Sequence, residues 1–272
     1  MTYSSSGHKV AVMRGWSAEI WQYRELLWFL AWRDVKVRYK QTVFGVGWAV
    51  IQPLLGMIVF TVFFGRLIGA ANVDVPYPIF TYCALVPWTY FSGTLSQAGN
   101  SLVANSNLIT KVYFPRVLLP ASSALSGLLD FLVGSVFLVG LMVYYRTHPT
   151  WALFFYPILM LAMWIFTLGV SMWLAALNVR YRDVKYTIPF LIQLGLFVTP
   201  VIYPKTSMPH RMQPFLVLNP LAGIIEGFRA CLFPQYQVDL GLIAGSVAVG
   251  AVLFTASSLY FRNTERTFAD IV

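Results

Sequence analysis

The feature that most constrains this chain is a series of apolar runs that are too long for the core helices of a soluble protein. An α-helix needs about 20 apolar residues to cross the roughly 30 Å hydrocarbon layer of a membrane. The composition agrees, because 58% of the 272 residues are hydrophobic and only 11% are charged. The sequence therefore predicts an all-α integral membrane protein with six transmembrane helices. The six runs lie at 44–68, 79–104, 117–145, 151–178, 186–204 and 240–261.

The distribution of positive charge predicts the orientation of these helices. With both termini in the cytoplasm, the cytoplasmic segments hold fourteen Lys and Arg and the outer segments hold five, as the positive-inside rule requires. We therefore expect residues 1–43 and 262–272 to flank a transmembrane domain at 44–261, with no cleavable signal peptide. Contact with anionic membrane lipids explains the net charge of +9 better than nucleic acid does, so no nucleic-acid partner is expected.

An amphipathic stretch precedes the first run, and four basic residues follow it between positions 33 and 40. Apolar residues at helical spacing predict a helix with one apolar face. The simplest interpretation is a helix in the cytoplasmic membrane interface, and the alternative is a helix packed against a soluble partner. The apolar face consists of Trp16, Ile20, Tyr23, Leu27, Leu30 and Ala31.

Two connections between the runs also contain apolar residues. Segment 105–116 is predicted to be either a simple loop or a short helix that presents an apolar face to a cytoplasmic partner before Pro115 ends it. The outer segment 207–235 has apolar stretches that are too short to span the membrane. We expect two short re-entrant helices there, covered by protein. On the second of them, Glu226 and Arg229 are spaced to form an ion pair.

The common catalytic motifs are missing from the sequence. It has no HExxH, CxxC or GxSxG motif, and none of its six lysines follows a glycine, as the lysine of an ATP-binding P-loop must. We therefore expect no catalytic, cofactor-binding or metal-binding residues. Asp130, in the middle of a run, is either a proton relay in an ion-coupled carrier or a carboxylate bonded to nearby Ser or Thr. Cys83 and Cys231 are expected to be buried free thiols, with a disulfide as the alternative.

Aromatic residues make up 17% of the chain, and their number on and beside the first run exceeds what two membrane interfaces require. Flat ring faces can contact the C–H surfaces of a sugar chain without strong ion pairs, so one hypothesis is that these rings line a sugar conduit. The alternative is that they pack within the protein or face lipid. The residues are Tyr39, Phe44, Trp48, Phe60, Phe63 and Phe64.

Three segments of the sequence resemble a known transporter family. They are RDVKVRYKQTVFGVGWAVIQPL at 33–54, NVRYRDVKYTIPFLIQLGLFVTPVIYP at 178–204 and LNPLAGIIEGFR at 218–229. Together with the six runs and the long outer segment, they resemble the membrane subunit of ATP-binding-cassette exporters for cell-surface polysaccharides. This family comprises the O-antigen, capsule and teichoic-acid export permeases. Phe44 stands where the family more often has leucine.

The resemblance implies partners, a location and a substrate. It implies a homodimer in the bacterial inner membrane that binds two copies of an ATPase subunit, and that subunit binds the ATP and Mg²⁺. The permease is then expected to export a lipid-linked polysaccharide through a channel enclosed mainly by the first and fifth helices of each copy. A drug or lipid exporter on the same scaffold is the first alternative, and an ion-coupled secondary carrier is the second.

The resemblance also assigns roles to individual residues. The segment that couples to the ATPase is expected to contain Leu108, Ile109, Lys111, Val112, Tyr113 and Phe114. The channel lining is expected to contain Tyr39, Phe44, Trp48, Phe60, Phe63, Phe64, Phe190 and Phe197. The outer gate is expected to contain Asn219, Pro220, Glu226 and Arg229.

Overall fold

The computed structural model describes residues 20–40, 42–67, 75–209, 211–265 and 268. This part of the chain forms helices and turns and contains no β-strand, so the predicted all-α class is confirmed. Trp16, the first part of the predicted N-terminal segment and most of the predicted C-terminal tail lie outside the described residues.

The helices are numbered in chain order. The α-helices are α1 (Arg24–Tyr39), α2 (Trp48–Phe60), α3 (Tyr77–Ala104), α4 (Ser106–Lys111), α5 (Leu118–Tyr144), α6 (Tyr156–Arg180), α7 (Val184–Val198), α8 (Pro220–Leu232) and α9 (Leu240–Glu265). Short 3₁₀ turns lie at Gly45–Gly47, Trp151–Phe155, Lys205–Ser207 and Gln213–Leu218, and α2 continues as a π-helical segment at Thr61–Leu67.

Four helical stretches of the described residues are long and apolar enough to cross a membrane, by length and composition. α3 has 28 residues but is more polar, and α7 is apolar but has only 15. α7 ends at Val198 because Thr199 is extended, as is common for a residue that precedes a proline. The count of six spans therefore stays a prediction. The four stretches are Gly45–Gly65, Leu118–Tyr144, Trp151–Arg180 and Leu240–Glu265.

The central helix of the fold is α3, which packs against α2, α5, α6, α7 and α8. Most of its residues are buried, although it is less hydropathic than the four spanning stretches. Several polar side chains bond to carbonyls of the same helix, such as Thr89 Oγ1 to Leu85 at 2.8 Å and Asn100 Nδ2 to Ser96 at 2.8 Å. Such bonds allow polar groups inside a protein at little cost.

Buried apolar side chains form a large cluster around the first half of α3 and a second one at its other end. The second, called the basal cluster below, joins Leu30 of α1, Leu102 of α3, Ile109 of α4 and Phe261 of α9, together with the start of α5. These helices are therefore held together at one place.

α1 packs on the protein through the face that the sequence marks as apolar. Leu30 and Ala31 are buried, and Ile20, Tyr23 and Leu27 pack against the basal cluster. This face thus contacts the chain's own helices, whereas the sequence suggested lipid or a soluble partner. Large aromatic side chains are exposed elsewhere on the helix, and aromatic and basic residues together are typical of a membrane interface. These exposed residues are Trp21, Trp28, Phe29 and Trp32.

Glycine allows some of these helices to approach each other closely. A Cβ atom on Gly223 of α8 would lie 2.3 Å from Oγ of Ser246 and 2.7 Å from the carbonyl oxygen of Leu242, both in α9. A Cβ on Gly169 of α6 would lie 2.8 Å from Cα of Phe254, also in α9. Small residues at such contacts are typical of membrane helices, which associate through close van der Waals packing.

We expect Gly223→Ala to lower the melting temperature of the detergent-purified protein, because the added methyl group collides with α9 and overpacking costs about 1–3 kcal/mol. Gly140→Ala is the matched control, because no heavy atom of the described residues lies within 4 Å of a Cβ placed there. Alanine is otherwise favoured over glycine inside a helix. A melting temperature of Gly223→Ala equal to or above that of the wild type and of Gly140→Ala would contradict the close contact between α8 and α9.

Candidate functional site

α8 is a short helix that the protein encloses on all sides. All thirteen of its residues are buried, and it packs on α3, α6 and α9. Asn219 caps its start: the side-chain oxygen accepts a bond from the N–H of Leu221 at 3.1 Å, and Nδ2 donates to Oγ1 of Thr199 at 2.9 Å. Pro220 follows at the first helical position, where its missing N–H costs nothing. The structure thus contains the predicted short helix, covered by protein.

The side chain of Arg229 on α8 is fully buried and has three partners. Its Nη1 donates to Oε1 of Glu226 at 2.7 Å, and its Nη2 donates to the carbonyl oxygen of Val201 at 2.7 Å. The guanidinium carbon lies 3.7 Å from the centre of the Phe80 ring, where a cation is attracted to the ring face. The predicted Glu226–Arg229 ion pair is confirmed. Through Val201 and Phe80, Arg229 also fastens α8 to the turn after α7 and to α3.

We expect Glu226→Gln to destabilise the protein by about 3–5 kcal/mol, because it leaves the Arg229 charge buried without its counter-charge. The measurement is the thermal or denaturant unfolding of the purified protein.

Asp239→Asn is the matched control for this prediction. Asp239 forms an ion pair with Lys205 at 2.7 Å that is partly exposed, and the bond from Lys205 lowers the pKa of the Asp239 carboxyl. An asparagine keeps the side-chain oxygen that accepts from the Leu242 N–H and removes only the charge. An exposed pair contributes about 0–1 kcal/mol, so a loss as large as that of Glu226→Gln would contradict the argument.

The predicted coupling segment forms α4 and a short extended stretch beside the basal cluster. Val112 ends the helix in an extended conformation, so the side chains that follow it alternate in direction. Ile109 and Phe114 are buried in the basal cluster, with Leu108 packed against it. Lys111, Val112 and Tyr113 are exposed, and Tyr113 reaches 89% exposure. The exposed residues are the ones that can contact another protein.

The end of α9 contacts this coupling segment. The backbone N–H of Arg116 donates to Oε1 of Glu265 at 2.6 Å, and the Arg116 guanidinium donates to the carbonyl of Glu265. The end of α9 is therefore fastened beside the coupling segment, a contact that the sequence alone did not indicate.

The predicted channel aromatics fall into two groups in the structure. Phe60 and Phe64 pack against the large cluster, and Tyr39 bonds to Asp130. The other five rings are at least 44% exposed; they are Phe44, Trp48, Phe63, Phe190 and Phe197. These belong to α2, to its flanks and to α7, which bury only three residues between them. The exposed rings are therefore the better candidates for contact with a solute.

A polar stripe runs along α3 and was missed in the sequence. On one side of the stripe, residues of α3 such as Trp88 and Gly99 contact α7. On its other side, residues such as Tyr90 and Thr94 contact α5. Polar residues spaced three and four apart within an apolar run were the signal that could have identified it. The stripe consists of Thr89, Ser92, Gly93, Ser96, Gln97 and Asn100, none of which is buried.

Asp130 bonds to residues of α1 and not to nearby Ser or Thr, so that expectation was wrong. One carboxylate oxygen accepts from the Arg38 guanidinium and the other from the Tyr39 hydroxyl. Arg38 also donates to the side-chain oxygen of Gln97 on α3. Burial, and next the bond to Asp130, raises the pKa of Tyr39 to about 12, so its hydroxyl stays protonated as a donor. The end of α1 is thereby joined to α3 and α5.

Both cysteines are buried and free. The thiol of Cys231 donates to the carbonyl oxygen of Ala152 at 3.0 Å. The thiols are therefore packing residues in this structure, and the disulfide that the sequence left open is not formed.

These features, a set of long apolar helices with a short exposed segment at one end and an enclosed short helix at the other, are those of a helical membrane domain. Residues 25–233 match the family model described as ABC-2 type transporter, and the chain belongs to this family.

Relatives of the chain have related descriptions. It is 30% identical to the O-antigen export system permease protein RfbA of Myxococcus xanthus, over 93% of this chain and 98% of the relative. It is 29% identical to the protein of the same name from Klebsiella pneumoniae, over 91% and 95%. It is also 21% identical to the polysialic acid transport protein KpsM of Escherichia coli, over 86% and 91%.

Proposed function

We propose that this chain is the channel-forming permease subunit of an ATP-driven exporter that moves a lipid-linked polysaccharide across the bacterial cytoplasmic membrane. The observation that carries the proposal is the similarity, over nearly the whole chain, to permeases named for O-antigen export and polysialic acid transport. The proposal includes six membrane crossings and cytoplasmic termini, in agreement with the positive-inside bias of the sequence.

The polysaccharide path is proposed to lie along α2, α7 and the polar stripe of α3. The stripe offers hydroxyl and amide groups to a sugar chain, and the exposed rings of Trp48 and Phe190 offer flat faces. One chain forms only part of a wall, so a homodimer is proposed to close the channel. α8 and the residues before it, with Asn219, Pro220, Glu226 and Arg229, are proposed to close its outer end.

The energy is proposed to come from two copies of a partner ATPase subunit. This chain has no P-loop of its own, since no lysine follows a glycine. The exposed residues Lys111, Val112 and Tyr113 are the proposed contact with the ATPase. Ile109 and Phe114, which point inward, would pass its movement to α1 and α9 through the basal cluster.

A drug or lipid exporter on the same scaffold is the second candidate. The polar stripe of α3 favours the glycan, because a path for an apolar amphiphile gains its binding free energy from burial of apolar surface.

The function is tested by deleting this chain from its host and locating the lipid-linked glycans. Full-length polymer is expected to accumulate on the cytoplasmic side of the membrane, and its sugar composition would identify the substrate. Normal surface polysaccharide without internal accumulation, in a strain with no duplicate system, would contradict glycan export and favour the second candidate.

Tyr113→Asp is expected to dissociate the ATPase from the permease, because it replaces an apolar contact surface with a charge. The measurement is co-purification of the ATPase with a tagged permease. Tyr144→Asp is the matched control, since Tyr144 is also highly exposed, at 78%. It is the last residue of α5, whose first residue lies near Tyr113 in the sequence. An ATPase that stays bound to Tyr113→Asp as tightly as to the control would remove Tyr113 from the proposed contact.

A further inference from the structure

A cleft of about 300 Å³ lies where the end of α1, the start of α2, the polar stripe of α3 and the middle of α5 meet. Its volume is at the lower end of the range of about 300–1,000 Å³ that small-ligand pockets have. Its lining includes Arg38, Trp48, Gln52, Thr89, Gly93, Gln97 and Asp130.

The lining combines one aromatic ring with several hydrogen-bonding groups. Trp48 is 44% exposed, and the Phe44 ring supports it edge-on, with the ring centres 5.6 Å apart. The Gln52 amide makes no hydrogen bond within the described part of the chain. Both donors and acceptors are thus available to a ligand.

The charged residues of the cleft are already paired with each other. Asp130 accepts from Arg38 and Tyr39, and Arg38 also donates to Gln97. An anionic ligand such as a phosphate is best bound by a cation without a counter-charge, and the charge of Arg38 is already balanced by Asp130. A lipid chain would leave the polar groups of Gln52, Gln97 and Thr89 in the lining without hydrogen-bond partners.

We infer that this cleft binds one neutral sugar unit of the transported glycan. The Trp48 ring is placed to stack on the apolar C–H face of a pyranose, while Gln52, Gln97 and Thr89 exchange hydrogen bonds with its hydroxyls. The Arg38–Asp130 pair holds α1 and α5 in place as the walls of the site. This inference rests on the proposed function and adds a defined binding position to the path.

The test fills the cleft with a side chain. Gly93 faces open space, with no heavy atom of the described residues within 4 Å of an added Cβ, so Gly93→Leu occupies the cleft without straining α3. Gly140→Leu is the matched control, because Gly140 lies inside α5, is exposed and has equally open surroundings. Gln52→Leu is a second variant, which removes the amide and keeps the size of the side chain.

The probe is a set of oligosaccharides released by mild acid from the host's surface polysaccharide. Binding is measured by calorimetry on the purified permease–ATPase complex, and surface polysaccharide is measured in cells. Gly93→Leu and Gln52→Leu are expected to weaken binding about tenfold or more, the effect of losing one or two hydrogen bonds or a stacked ring. Both variants are also expected to lower export, whereas Gly140→Leu behaves like the wild type.

The possible failures are distinguishable. Binding and export by Gly93→Leu and Gln52→Leu equal to the wild type would overturn the cleft as a sugar site and leave the export function intact. Lack of measurable binding to the wild-type complex would also overturn it. If deletion of the chain leaves glycan export unchanged, the proposed function fails, and the sugar site fails with it.

Discussion

The position of α8 depends on the interactions of the buried Arg229 guanidinium. A charge without access to water is tolerated only when other groups replace the water, and here those groups come from three parts of the chain. Glu226 belongs to α8 itself, Val201 to the turn after α7, and Phe80 to α3. α8 can therefore dock only where the turn after α7 and the first half of α3 are already correctly placed. One polar side chain thus orders the whole end of the molecule.

The opposite end is held by a different kind of interaction. Apolar contacts of Leu30, Ile109 and Phe261 join α1, α4 and α9 in the basal cluster, and Arg116 adds hydrogen bonds to the end of α9. Apolar contacts have little directional preference, so the Arg116 bonds supply the specific link at this end. The exposed coupling residues therefore lie beside an end that is held mainly by apolar packing, away from the end that the buried Arg229 holds.

Sequence reasoning was accurate where the signal is local. Four of the six predicted spans match helices that are long and apolar enough to cross a membrane, to within a few residues, and the Glu226–Arg229 pair followed from their spacing on one helix. It was less accurate where tertiary contacts decide. The partner of Asp130 lies 92 residues away, at Arg38, and helical periodicity identified the apolar face of α1 without indicating what covers it. The polar stripe was missed because the predicted run was considered only as a span.

Two of the ion pairs between described residues, Arg38 with Asp130 and Arg229 with Glu226, bear on how the helices would respond to a transmembrane voltage. A transmembrane voltage acts on displaced net charge, by about 2.3 kcal/mol per elementary charge for each 100 mV. Each pair is neutral, so a rocking movement that carries both members together displaces no net charge through the field.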